Sequence, residues 1–337
     1  MGTGVGRERD PFAEAAAEAR HRLVAALTAQ GALPDPAWRA AFEEVPRHLF
    51  VPSYHVGALG GYERLWRDDP DPEGRRRWLE GAYEDQPLGI LLRGDDLVSS
   101  ASQPSLMADM LHALDVRDGD TVLEIGAGSG YNAALLCHRL GDARVTTVDI
   151  DADITDAARA HLHQAGHHPV VVTGDGARGR PDRAPFDRIV ATCAMPSVPA
   201  AWLAQCRPGA CVVAPLSTGV VRLRVEDAEH AEGRFLPTSA YFVPLRGPGA
   251  AVPEPRTGGL PRRALDSDLF RFLLTLASGS LDPYEAYALW QREGRPARER
   301  YGVTVRGGRQ WAWLDDPKGP YSWALGRPDW PRTRGSG

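Results

Sequence analysis

The 337-residue chain has no apolar run of the about eighteen residues that a membrane-spanning helix requires, so no segment reads as a membrane span and no membrane partner is expected. Its opening, Met1 to Asp10, lacks a hydrophobic signal core, and Gly6 stands where a myristoylation motif wants Ser or Thr; the expected location is cytoplasmic. Cysteine is scarce: Cys137, Cys193, Cys206 and Cys211 form no Cys-x-x-Cys pair, which argues against a disulfide scaffold and for buried thiols in a reducing compartment. His161-x-His163 and His167-His168 cluster without Cys, Asp or Glu at metal-ligand spacing, so they read as solvated helix-end side chains and no metal is expected. Positive charge is not in excess, and a net charge of −5 argues against general nucleic-acid binding. There is no Gly-x-Gly-x-x-Gly fingerprint at the strand-to-helix turn and no Gly-Lys-Ser/Thr after it, which weakens dehydrogenase and nucleotidase readings.

The stretch Val122 to Tyr131 carries the chemistry instead. Four residues of buried-strand character run into Gly126, Gly128 and Gly130, and a helix-forming run, Asn132 to Leu136, follows at once. Glycine there permits backbone angles and close approach that a β-carbon forbids, so a flat, partly charged ligand can lie against the main chain. Glu124 stands two residues before the first glycine, and Asp149 closes the next strand, where α/β folds place the carboxylate that accepts ribose hydroxyls. Loop and acids together look like the S-adenosyl-L-methionine site of a class I methyltransferase.

Residues 1–10 read as a disordered tail. Helices are expected over Phe12–Gln30 and Ala37–Glu44, and residues 56–81, charged and Gly-rich with Arg75-Arg76-Arg77 inside, read as a surface insertion whose basic run is a solvated face. Ser99 to Pro104 leads into a helix from Ser105 to Leu114, and three serines in four residues exceed what capping needs, so the cluster can receive a carboxylate. Strands at 122–125, 144–149, 169–173, 186–192 and 210–216 alternate with helices at 132–140, 153–165 and 199–205, which predicts a right-handed, mostly parallel sheet. Glu124, Asp149 and Asp175 then converge on one crevice at the sheet edge. Residues 251–337 hold fourteen Lys/Arg against ten Asp/Glu and five of the nine tryptophans; they read either as a packing appendage or as a docking surface for an acidic, flexible peptide.

From about Phe42 to Leu245 the chain resembles the protein-L-isoaspartate (D-aspartate) O-methyltransferase family. The match runs through Val45-Pro46-Arg47, Phe50-Val51-Pro52, Tyr83-x-Asp85, Ser100-Ala101-Ser102-Gln103-Pro104, the glycine loop, Gly174-Asp175-Gly176, Ala184-Pro185-Phe186-Asp187 and Pro196-Ser197-Val198-Pro199. The resemblance implies an α/β class I methyltransferase (Rossmann-like) doubly wound sheet over 101–248, an N-terminal helical, substrate-capping region over 11–100 and a C-terminal extension over 251–337. It implies S-adenosyl-L-methionine as cofactor and S-adenosyl-L-homocysteine as product, bound by Ser100, Glu124, Gly126, Gly128, Ser129, Gly130, Asn132, Asp149, Ile150, Asp175, Gly176 and Thr192. As catalytic residues, Ser102 would contact and orient the substrate carboxylate and Asp85 would shape the pocket, with Tyr83, Pro196 and Val198 bordering the substrate.

The chain is longer than the ordinary repair enzymes and looks like homologues that accompany actinobacterial ribosomal-peptide modification systems, lanthipeptide and ATP-grasp peptide pathways among them. That implies an Asp of a modified ribosomal precursor peptide as substrate, its ester collapsing to aspartimide. The alternatives are general repair of isoaspartyl-containing proteins and a catalytically silent peptide-binding module.

Overall fold

A computed structural model gives the fold and describes residues 10–58, 61–94, 96–247, 257 and 259–326. Short polar caps start several helices: α1 (Ala13–Ala29) is followed by α2 (Pro36–Glu44), where Asp35 accepts the Ala37 N–H and Pro36 supplies a preset first turn. The same Asp-Pro signal starts α3 (Pro72–Ala82) at Asp71. Around α3 lies a small antiparallel sheet of β1 (Ser53–Ala58), β2 (Gly61–Trp66), β3 (Leu88–Arg93) and β4 (Asp96–Ala101), in the order β2-β1-β3-β4. The expected surface insertion over 56–81 is therefore half core. Trp78 is wholly buried and its indole N–H donates to the Val51 carbonyl, while Arg76 and Arg77 do face solvent, paired with Glu73, Glu80 and Glu63. Asp10, placed in the tail by the sequence, is bonded to buried His48; residues 1–9 lie outside the described residues.

The large sheet begins after α4 (Pro104–Leu114). Its parallel part comprises β5 (Val122–Ile125), β6 (Val145–Asp149), β7 (Val170–Thr173), β8 (Phe186–Ala191) and β9 (Cys206–Leu216), connected by α5 (Tyr131–Leu140), α6 (Ala152–Ala165) and the short α7 (Ala200–Leu203). β5 and β6 are buried along their whole length, as covering by helices on both faces requires. Beyond β9 the pairing turns antiparallel through β10 (Gly219–Asp227), β11 (His230–Ser239), β12 (Tyr301–Arg306), β13 (Arg309–Leu314) and β14 (Ser322–Ala324), giving ten strands in the order β14-β13-β12-β11-β10-β9-β8-β5-β6-β7. Residues 259–326 thus continue the sheet, and α8 (Arg262–Leu265), α9 (Asp268–Leu276) and α10 (Pro283–Arg292) cover it. Phe272 of α9 meets Phe235 at 4.9 Å and Tyr301 at 5.3 Å between ring centres. Strand order runs outward from β5 through β6 to β7, then returns to the other side of β5 with β8. The crevice at this reversal, beyond the carboxyl ends of β5 and β8, is where such folds bind ligands.

Candidate active site

Three positive-φ glycines make the turn out of β5. Gly126 has φ of 98°, and a β-carbon on it would lie 2.5 Å from Thr192 Oγ1, whose hydroxyl donates to the Gly126 carbonyl at 2.8 Å. Gly130 (φ 88°) is the residue at which α5 begins, close-packed on the Ala158 carbonyl of α6. The loop frames a cleft lined by Ser100, Gly126, Gly128, Asp149, Ile150, Gly176 and Thr192 on one side, and by Ser100, Ser102, Glu124, Gly126, Gly128, Ser129, Asn132 and Thr192 on the other. Glu124 is wholly buried there; Oε1 accepts from Asn132 Nδ2 at 2.7 Å, while Glu124 Oε2 and Asn132 Oδ1 are buried without a partner. Two orphaned acceptors beside a glycine cradle suit the ammonium of a positively charged ligand. Asp175 does not line the cleft. It caps the turn at Gly176 by accepting the Ala177 N–H, and it lies beside Gly247.

The serine wall is held from behind by Arg47. Wholly buried, its guanidinium donates to the carbonyls of Ala82 (2.8 Å), Glu84 (3.1 Å), Gln86 (3.2 Å) and Ser102 (3.2 Å), tying the 82–86 segment to the turn that carries Ser102. Ser102 is half-buried, and among the described residues its hydroxyl has no hydrogen-bond partner. Asp85 takes a different place from the catalytic one expected. Oδ1 accepts the Ser105 N–H at 2.8 Å and Oδ2 accepts from Gln103 Nε2 at 3.3 Å, so the carboxylate anchors the start of α4 and not the cleft. Tyr83 is likewise turned away: it is buried, and its hydroxyl meets His48 Nδ1 at 2.7 Å, with Asp10 on the far side of that imidazole.

Pro196 and Val198 are absent from the cleft lining. Val198 is wholly buried, and Gln310 of β13 clasps its backbone at both ends, accepting the N–H at 2.8 Å and donating to the carbonyl at 2.5 Å. Trp290, Trp313 and Trp323 are at most 4% exposed, so these tryptophans of the extension serve its core; Trp330 lies outside the described residues. His161 also departs from the solvated role expected of it, donating from its ring to the Ser129 carbonyl of the glycine turn at 3.0 Å. Cys137, Asp142 and His167 bring donor atoms within 4.8 Å of one another, an arrangement that carries the ordinary His167–Asp142 pair at 3.2 Å. All four cysteines are free.

A doubly wound sheet with a glycine loop, two strand-end acids and a crevice at the switch point defines a class I methyltransferase. A solved structure of a protein-L-isoaspartate O-methyltransferase covers 90% of this chain and 98% of its own at a TM-score of 0.60 and 22% identity. A second, from Plasmodium falciparum in complex with S-adenosyl-L-homocysteine, covers 67% of this chain and 97% of its own at a TM-score of 0.51 and 13% identity. By sequence, the protein-L-isoaspartate O-methyltransferase of Methanoculleus marisnigri is 39% identical over 212 residues, 62% of this chain and 82% of that one. The model of the protein-L-isoaspartate(D-aspartate) O-methyltransferase family matches residues 74–247, more than half the chain. The chain belongs to that family and is an S-adenosyl-L-methionine-dependent protein carboxyl O-methyltransferase.

Proposed function

We propose that this protein methylates the free carboxylate of isoaspartyl residues in proteins and peptides, within a reducing, cytoplasmic compartment; its relatives are named protein-L-isoaspartate O-methyltransferases, which supports this reading. The observation that carries this reading is the unpartnered Ser102 hydroxyl at the cleft, beside Ser100 and across from the glycine loop. Bound S-adenosyl-L-methionine supplies an electrophilic methyl group, and the fit rests on the buried acceptors of Glu124 and Asn132 and on Asp149. A carboxylate is nucleophilic at neutral pH, so the chain needs no general base. Its residues have to align the substrate oxygen with the methyl carbon, and such alignment contributes about 7–11 kcal/mol. Ser102 donates to the carboxylate oxygen that does not attack; Arg47 and Asp85 fix the turn on which it rides.

A second reading keeps the chemistry and takes an Asp of a modified ribosomal precursor peptide as substrate. What favours it is that the extension reaches the Pro196–Pro199 loop through Gln310. Two observations weigh against it. Three of the extension's tryptophans, Trp290, Trp313 and Trp323, are inside, and the 90% coverage by a solved methyltransferase cannot be met without residues beyond 250, so the longer form is part of a shared fold. Mass spectrometry with an isoaspartyl peptide and its aspartyl twin separates the readings. Methylation of the isoaspartyl peptide alone is expected, with Ser102→Ala lowering kcat/KM by roughly tenfold or more, the worth of one hydrogen bond to a charged group. Reaction with neither peptide, while S-adenosyl-L-homocysteine still binds, would move the assignment to the precursor peptide.

Cofactor affinity should depend on pH through Glu124. Burial, the main cause, pushes this carboxyl up to about 7; the nearby Thr147 hydroxyl and the Asn132 hydrogen bond act against it, and the Asp149 charge acts with it. A cationic ligand favours the ionised form, so affinity rises with pH through 7 and levels above it. About a tenfold gain between pH 6 and pH 8 is expected by calorimetry, because about nine-tenths of the group is protonated one unit below its pKa. The same raised pKa makes the free protein lose stability as pH climbs from 4.5 through about 7. Glu124→Gln should flatten both dependences; a slope unchanged in that variant would assign the proton to another group.

A further inference from the structure

The segment Val243-Pro244-Leu245-Arg246 runs along the cleft as a strap. It is fastened to Ala194, whose N–H donates to the Val243 carbonyl at 2.9 Å and whose carbonyl accepts the Leu245 N–H at 2.7 Å. At its end the Arg246 guanidinium reaches two acids, Nη2 to Asp149 Oδ1 at 2.8 Å and Nη1 to Asp151 Oδ2 at 3.0 Å. Asp151 Oδ2 also accepts from Arg93 Nη2 at 2.6 Å. Arg93 ends β3, in the hairpin whose other strand lines the opposite wall with Val98, Ser99 and Ser100. The two walls are thus bridged across the cleft by one carboxylate and two guanidinium groups.

We propose that Arg246 is an ionic latch that competes with the cofactor's ribose for Asp149 and thereby sets cofactor affinity. The inference rests on Asp149 being the acceptor of the ribose hydroxyls. Asp149 Oδ1 takes the Arg246 guanidinium and the Asp151 N–H (3.2 Å) while Oδ2 has no hydrogen bond among the described residues, so one ribose hydroxyl can reach Oδ2 at once and its neighbour can take Oδ1 only after Arg246 withdraws. Withdrawal is short, because Nη1 keeps its hold on Asp151 while Nη2 lets go. Asp151, nearly buried and shared with Arg93, serves as the parking place. When product leaves, the pair with Asp149 re-forms and opposes rebinding. Arg246 therefore weakens the hold on cofactor and product alike, and eases their exchange.

The test is calorimetric titration of S-adenosyl-L-homocysteine into the full chain, its Arg246→Gln and Asp149→Asn variants and the double variant. Arg246→Gln should bind about 3- to 10-fold more tightly, or 0.7–1.4 kcal/mol at about 1.4 kcal/mol per tenfold. Within the Asp149→Asn background the same change should do nothing. Arg93→Gln, which leaves the Asp149 contact in place, should shift affinity less than Arg246→Gln. Equal or weaker binding by Arg246→Gln, with Asp149→Asn still weakening the wild type, would overturn the latch alone. Full affinity in Asp149→Asn would overturn the ribose placement and the latch together.

Discussion

Arg47→Leu should lose about 3–5 kcal/mol of stability and essentially all methyl transfer. Removing the guanidinium leaves the carbonyls of Ala82, Glu84, Gln86 and Ser102 without their donor, each worth about 1–3 kcal/mol if it stays dry. Two terms oppose this loss. Leucine adds apolar burial, and the charge no longer has to be desolvated, which burial makes costly enough to lower the Arg47 pKa. The orphaned acceptors win because there are four of them, in two segments, 82–86 and the Ser102 turn, that Asp85 alone would then still join through Ser105 and Gln103; three of the four bonds are only part-buried, which caps the loss near 5 kcal/mol. Arg47→Lys separates folding from function. One ammonium has three donors and cannot span four carbonyls, so the fold should survive while the Ser102 turn loosens. That variant should keep its S-adenosyl-L-homocysteine affinity and lose kcat, with peptide KM rising. Urea unfolding of Arg47→Leu within 1 kcal/mol of the wild type would remove the role assigned to this side chain.

Arg47 also marks where sequence reasoning reached and where it stopped. The glycine loop, Glu124, Asp149 and the alternating strands were legible because local rules fix them: buried strands read as apolar runs and positive-φ turns as glycine. The Asp-Pro starts of α2 and α3 obey rules as local. A guanidinium that binds backbone carbonyls leaves no such mark, since carbonyls are identical at every residue. Asp85 stood in a recognisable element beside the serines, but proximity along the chain does not say which way a carboxylate points, and its acceptors were taken by the start of α4. Tyr83 fails the same way, through a partner 35 residues distant. Composition left the extension open between a packing appendage and a docking surface. Trp and Arg mark interfaces and large aromatic cores equally, and only the pairing of β11 with β12, across more than sixty residues, decides for the core. Arg246 was unreadable for a related reason, because its acids lie 97 and 95 residues away in sequence.

Gly126→Ala should cost about 2–3 kcal/mol in total, divided between stability and cofactor binding. Two independent obstacles meet the new β-carbon. The backbone at φ 98° is strained for any L residue, and Thr192 Oγ1 lies 2.5 Å from where the methyl would be. How the loss divides depends on whether the loop relaxes when free. If Thr192 and the β5 end hold it rigid, melting temperature falls and affinity is preserved. If the loop swings away, the free protein recovers stability, and the cofactor must then restore the strained turn, weakening binding by roughly 30- to 150-fold. The second outcome is the expected one, because the methyl displaces Thr192 from the Gly126 carbonyl and leaves Gly126 held by its N–H bond to the Val148 carbonyl at 2.8 Å. Adding Thr192→Ala removes the contact but not the backbone strain, so the double variant should regain part of the affinity and never all of it. Full recovery would mean that φ at Gly126 carries no cost, and no recovery would mean that the Thr192 contact carries none; calorimetry with S-adenosyl-L-homocysteine, paired with thermal melts of the same three proteins, separates the two.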